Sequence, residues 1–185
     1  MANRFPEIPE DKQTPEQKAM VHAITSGPRG GGLRGPFNAL MRSPDVGNRV
    51  QHVGGYVRFS SCIGPKLTEL GIILVARKWT AQYEWYAHRS LAEKAGLAPA
   101  ICDAIAAGQR PASMDADETL VYNFAHELLE TTVVSDPTYN AMKDKFGEQG
   151  VIDLICALGY YSLVSMVLNV AEVQLPPDAV PLKKL

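Results

Sequence analysis

The sequence predicts an all-α domain of about eight helices, and three observations carry that expectation. Apolar residues recur at helical spacing in one segment after another. No segment alternates apolar and polar residues with period two between turn signals. Proline and glycine punctuate the chain at short intervals, which leaves room for helices joined by short connections. The length of 185 residues suits one domain, read here as spanning 1–185. Hydrophobic residues at 46% and charged residues at 21% are the proportions of a folded globular chain rather than a disordered one.

The elements follow in order. Residues 1–13 are rich in proline and charge and read as an extended N-terminal arm. Thr14 can cap a helix whose first position is Pro15, running to about Ser26. Residues 27–36, GPRGGGLRGP, hold five glycines and read as a loop. The triplet Gly30-Gly31-Gly32 lacks the order of a phosphate-binding loop and follows no strand, so it is read as a flexible connection or a loop that approaches another chain. FNALMRSP gives a short helix that ends before Pro44. Asp45 can cap the next helix, carrying Val46, Val50, Val53 and Phe59. Pro65 opens a helix apolar on nearly all sides, and such a helix is buried. Thr80 can cap the following helix, which stops near Gly96. A short helix runs from Pro99 to Ala107, and another starts at Asp115 or Asp117 with Leu120, Phe124, Leu128 and Leu129 at helical spacing. Ser135-Asp136-Pro137 begins a helix to about Phe146. Gly150 precedes the last, very apolar helix to about Val173, and residues 174–185 form a Pro-rich tail expected to lie extended on the surface or on a neighbouring subunit.

Charge, cysteines and hydropathy narrow the function. Basic and acidic residues number 18 and 20, a balance that argues against a nucleic-acid binder. Cys62, Cys102 and Cys156 are too far apart for a disulfide framework or a zinc site and read as small buried apolar residues. The N-terminal stretch has no apolar run of the kind a signal peptide needs, so a cytoplasmic protein is expected. Leu154–Ala171 carries 18 residues without a formal charge. Its Gly159, Tyr160, Tyr161, Ser162, Ser165 and Asn169 fit a buried helix with polar partners better than a membrane span.

The chemistry concentrates between Glu69 and His88. Glu69 sits inside an otherwise apolar helix, where an unpaired carboxylate is costly. Glu84 and His88 are four apart on the next helix and share a face, with Tyr83 and Trp85 beside them. An imidazole titrates near neutrality, and a carboxylate next to it fixes its tautomer and favours its cation. The same residues also fit a plain reading, with Glu84 and His88 as a helix-surface pair and Glu69 in an interhelix salt bridge. Arg34, Arg42, Arg58 and Arg77 are candidates for holding a carboxylate bidentately, Arg77 first because it lies two turns beyond Glu69. Arg77 serves equally well to neutralise a buried glutamate. Tyr83, Trp85, Tyr160 and Tyr161 are candidate pocket walls. His22, His52 and His126 have no ligand-spaced partner, and no metal-binding signature is present.

The stretch 69–88, together with RGPFNALMRSP (34–44), VSDPTYNAM (134–142) and GYYSLVSMVLN (159–169), resembles the cysteine-free branch of the carboxymuconolactone decarboxylase family, which includes the alkylhydroperoxidase D-like proteins. In the redox branch a Cys-x-x-Cys pair lies between the Glu and the His; those positions fall here on Ala81 and Glu84, so both sulfurs are missing. The resemblance implies an alkylhydroperoxidase D-like helical fold, assembly as a homotrimer or homohexamer, and a site at Glu69, Glu84 and His88 near a subunit interface. His88 would act as general acid/base with Glu69 or Glu84 orienting it, and Arg77, Trp85, Tyr83, Tyr160 and Arg34 would bind the substrate. The implied activity is that of a cofactor-independent decarboxylase-like lyase on a small carboxylated, aromatic-derived lactone or related compound, with no metal, no nucleic acid and no membrane involved. Two other readings stand beside it. One is a non-catalytic oligomeric small-molecule binding protein; the other is a peroxide-reducing enzyme using a relocated cysteine such as Cys62.

Overall fold

A computed structural model describes residues 3–28 and 32–185. Among them are eight α-helices, one turn of 3-10 helix at Glu10–Lys12 and no strand, as the periodicity predicts. The helices are α1 (Pro15–Thr25), α2 (Phe37–Leu40), α3 (Pro44–Phe59), α4 (Pro65–Lys78), α5 (Gln82–Lys94), α6 (Pro99–Ala106), α7 (Ala116–Thr131) and α8 (Asp136–Ala171). Of the glycine-rich loop, Arg29, Gly30 and Gly31 lie outside the described residues.

Helix α4 is the axis of the molecule and packs on α5, α6, α7 and α8. Leu70, Ile72, Ile73, Val75 and Ala76 on it have no solvent exposure, which is why this segment is apolar all round. Gly71 lets α8 approach: a Cβ there would sit 3.2 Å from Leu154 Cδ1. A second, smaller apolar cluster joins α1, α2 and α3 through Met20, Ile24, Phe37, Leu40 and Met41. The N-terminal arm is extended as expected, but docked. The Arg4 N–H donates to the Ala171 carbonyl at 2.9 Å, and Arg42 donates to the carbonyl of Pro6.

Helices start where the sequence places them at Thr14-Pro15, Pro65, Pro99, Asp115 and Ser135-Asp136, and not at Asp45 or Thr80. Thr14 and Asp115 each make a reciprocal capping box, with Gln17 and with Glu118. Asp45 is not a cap: α3 begins one residue earlier, and Asp45 faces Arg49 at 3.6 Å in the first turn. Thr80 is not a cap either. It takes φ +47, and its hydroxyl accepts a hydrogen bond from Arg77 instead. The break in the last long segment falls at Gly147, with φ +69 and ψ 177, directly after Phe146, where the sequence ends the preceding helix. Glycine adopts that conformation without the Cβ clash other residues would meet.

Two further expectations need correction. Cys62 and Cys156 are exposed, and only Cys102 is buried. Helix α8 is long and apolar enough to cross a membrane by length and composition, and 56% of its most apolar window is buried in the fold. One side, with Leu154, Leu158, Tyr161 and Leu168, is core. The other leaves Ile152, Ile155, Leu163, Met166 and Val170 exposed. The tail does lie extended, on its own chain, with Leu182 in the main core.

Candidate active site

Glu69 lies in the second turn of α4 and faces α5, which returns antiparallel after the tight turn at residues 79–81. Glu84 and His88, one helical turn apart, share the face of α5 that looks back at it. The three side chains meet. His88 Nδ1 is 2.6 Å from Glu69 Oε2, and His88 Nε2 is 2.9 Å from Glu84 Oε1. All three are nearly removed from solvent, at 4–10% side-chain exposure. Two carboxylates buried this close together demand a cation between them.

His88 supplies it. Burial alone would lower the proton affinity of the imidazole. The carboxylate charges and hydrogen bonds of Glu84 and Glu69 outweigh that effect and raise its pKa to about 9. At neutral pH the ring is therefore an imidazolium donating one N–H to each carboxylate. Tyr161 closes one side with its ring edge-on to His88, centroids 4.8 Å apart, and Tyr160 meets Tyr161 edge-on at 4.9 Å. Burial, and then the charge of Glu84, push the Tyr161 phenol well above its ordinary range, so it stays a neutral wall.

Glu84 and His88 open onto a cleft of about 530 Å³ whose walls include Arg34, Arg58, Tyr83 and Tyr160. Gly35, at φ +62, brings its backbone against the Tyr83 ring; a Cβ there would lie 3.0 Å from Tyr83 Cε1. Burial raises the Tyr83 phenol, with Arg34 acting in the opposite direction. Arg58 reaches the cleft from α3. Its guanidinium lies over the Phe59 ring, and its buried Nε has no hydrogen-bond partner among the described residues. Lys94 adds a third cation. Two larger cavities, of about 770 and 690 Å³, lie elsewhere and touch neither Glu69 nor His88. The cleft holding the coupled ionisable groups is the better candidate despite its smaller size.

Of the residues predicted for the site, Glu69, Glu84, His88, Arg34, Tyr83 and Tyr160 come together, and Arg77 and Trp85 do not. Trp85 points away from the cleft and is buried in the core. Arg77 neither pairs with Glu69 nor reaches the cleft. It donates to the carbonyls of Ala106 and Lys183 and to the Thr80 hydroxyl. Arg42 is likewise spent on Asn38 and the N-terminal arm. His126 stacks on Tyr122 beside a different cavity. Lys94 escaped the sequence reading, although 87, 91 and 94 continue the face of α5 that carries 84 and 88. Among the described residues no group of three His, Cys, Asp or Glu side chains forms a metal-binding cluster. A scan against protein-family models and a search of curated proteins both give no match for the chain.

Proposed function

We propose that the protein is a cofactor-independent acid–base enzyme, a decarboxylase-like lyase acting on a small carboxylated, ring-derived compound such as a lactone of the carboxymuconolactone type. The observation that carries this reading is the buried chain Glu84–His88–Glu69, which reaches an aromatic-walled cleft containing Arg34 and Arg58. A guanidinium binds a carboxylate through paired N–H donors, and Arg34 and Arg58 both line the cleft.

The geometry changes the roles expected from the sequence. Both His88 ring nitrogens are occupied, so His88 is the proton reservoir and Glu84, which lines the cleft, is the group that exchanges with the substrate. When the carbon–carbon bond to the departing carboxylate breaks, carbon dioxide leaves and its electron pair delocalises into the ring as a dienolate. The His88 proton passes to Glu84 and from there to carbon, forming the new C–H bond. Glu69 holds the other ring N–H throughout, and solvent reprotonates the relay. The sulfur chemistry of the redox branch has no counterpart here. Partial burial and the Asp153 carboxylate raise the Cys62 thiol, the reverse of what a peroxide-reactive thiolate needs.

The test is release of carbon dioxide from carboxymuconolactone and related lactones. Glu84→Gln and His88→Gln proteins are expected to lose roughly 10²- to 10⁴-fold in kcat. A wild-type protein that releases none, or variants that release it at the wild-type rate, sink the reading. The saturation of both ring nitrogens also suits a non-catalytic binding protein, in which the triad only shapes the cleft. Mass spectrometry of a co-incubated lactone separates the two, because a binding protein leaves the molecule unchanged. We further propose that the protomers form a homotrimer or homohexamer through the exposed apolar faces of α3 (Val46, Val53, Tyr56) and α8 (Ile155, Met166).

A further inference from the structure

The tail beyond α8 is held by unusual specificity for a surface segment. The Leu182 N–H donates to Gln82 Oε1 at 2.8 Å, and Gln82 Nε2 donates to the Leu182 carbonyl at 2.8 Å. One side-chain amide thus reads both main-chain groups of a single residue, as a neighbouring β-strand would. The Leu182 side chain is buried in the main core. One residue on, the Lys183 carbonyl accepts from Arg77 Nη1 at 2.7 Å. The same guanidinium donates to the Ala106 carbonyl at 3.2 Å and to Thr80 Oγ1 at 2.7 Å. Arg77 is 8% exposed. It therefore ties together the end of α4, the turn after it, the end of α6 and the tail, and each tie satisfies a group that is otherwise hard to satisfy away from water.

What these ties hold is the turn that sets the start of α5. Thr80 stands at φ +47 in that turn, a conformation that costs a β-branched residue and persists only when its surroundings hold it. Gln82 is the first residue of α5, and Glu84 and His88 follow on the same rigid helix. A cavity of about 690 Å³ lies under the tail, walled by Tyr86, Ser90 and residues 178–183; Tyr86 and Ser90 also line the catalytic cleft. The tail and the cleft therefore flank the same helix.

We propose that residues 179–185 are a positioning segment for the Glu84–His88–Glu69 relay, bound as an extended peptide in a groove whose recognition residues are Gln82 and Arg77. The groove's ligand class is an extended segment with an apolar anchor, read through its main chain and placed by the Leu182 side chain. Docking holds the α4–α5 turn, and so sets the distance at which α5 presents His88 to Glu69. The effect on turnover rests on the function proposed above; the effect on the relay does not.

The test uses the full chain, a chain lacking 179–185, and Gln82→Ala. Circular dichroism reports folding, and NMR of the labelled imidazole reports the His88 titration. In the full chain that titration is expected near 9, raised by Glu84 and Glu69. It is expected to fall by about one unit or more in the shortened chain, with helicity retained, and to fall in the same direction in Gln82→Ala. A synthetic peptide AVPLKKL added in trans restores it, and the same peptide with the Leu182→Asp change does not. If lactone turnover exists, it falls by about tenfold or more alongside. An unchanged His88 titration in both proteins overturns the proposal, as does a peptide that binds without restoring it. Should the shortened chain lose its helices, Gln82→Ala decides alone. A full chain that turns over no lactone refutes the enzymatic reading while leaving the titration test intact.

Discussion

At the scale of single residues, His88 is the cation that makes two buried carboxylates tolerable. Replacing it by alanine leaves Glu69 and Glu84 facing each other unpaired, and a loss of about 3–5 kcal/mol in urea-unfolding stability is expected. The dependence on pH has a definite sign. Glu84 and Glu69 raise the folded imidazole to about 9, against 6.5 for a free histidine. Its contribution is therefore complete below pH 6.5 and declines as pH rises through 9. Urea midpoints measured across that window should fall for the wild type, and the fall should be smaller in Glu84→Gln, where His88 has lost one of its carboxylates. The pairing of Glu69, Glu84 and His88 was legible in the sequence because i,i+4 spacing and a charge in an apolar helix are local signals. Arg77 was not legible. Its partners are carbonyls 29 and 106 residues away, and the length of its side chain says nothing about which of its neighbours it will reach.

At the scale of elements, close approach and helix starts decide the packing. Gly71 admits α8 against α4, and Gly71→Val is expected to cost about 1–3 kcal/mol through overpacking against Leu154, read as a drop in thermal midpoint. Asp115 closes a capping box and pairs with Lys66 at 2.7 Å, so Asp115→Ala should lose about 1 kcal/mol. Thr14 was legible as a cap and Asp115 as one of two possible helix starts, but not their reciprocal bonds with Gln17 and Glu118. The break between Phe146 and Gly150 was legible from the glycines, and its placement at Gly147 is set by the packing of the following turns. The role given to Asp45 failed for a local reason. Proline in the first turn and an acidic residue after it suit several adjacent registers equally.

At the scale of the whole molecule, the all-α architecture followed from periodicity, yet the apolar surface left on α8 did not, since a helix apolar all round reads as buried whether neighbours come from its own chain or another. Met166→Glu or Leu163→Asp should lower the particle mass seen by light scattering while leaving circular dichroism unchanged; an unaltered mass would remove α8 from the proposed interface. The two ends of the chain carry a different consequence. Arg4 bonds to Ala171 and Leu182 to Gln82, pairs separated by 167 and 100 residues. Contacts so distant in sequence close slowly, and during synthesis neither can form until Ala171 and Leu182 have been made. The nascent protein thus emerges with its helices available but its two clasps open, and the groove at Gln82 stands empty until Leu182 has left the ribosome.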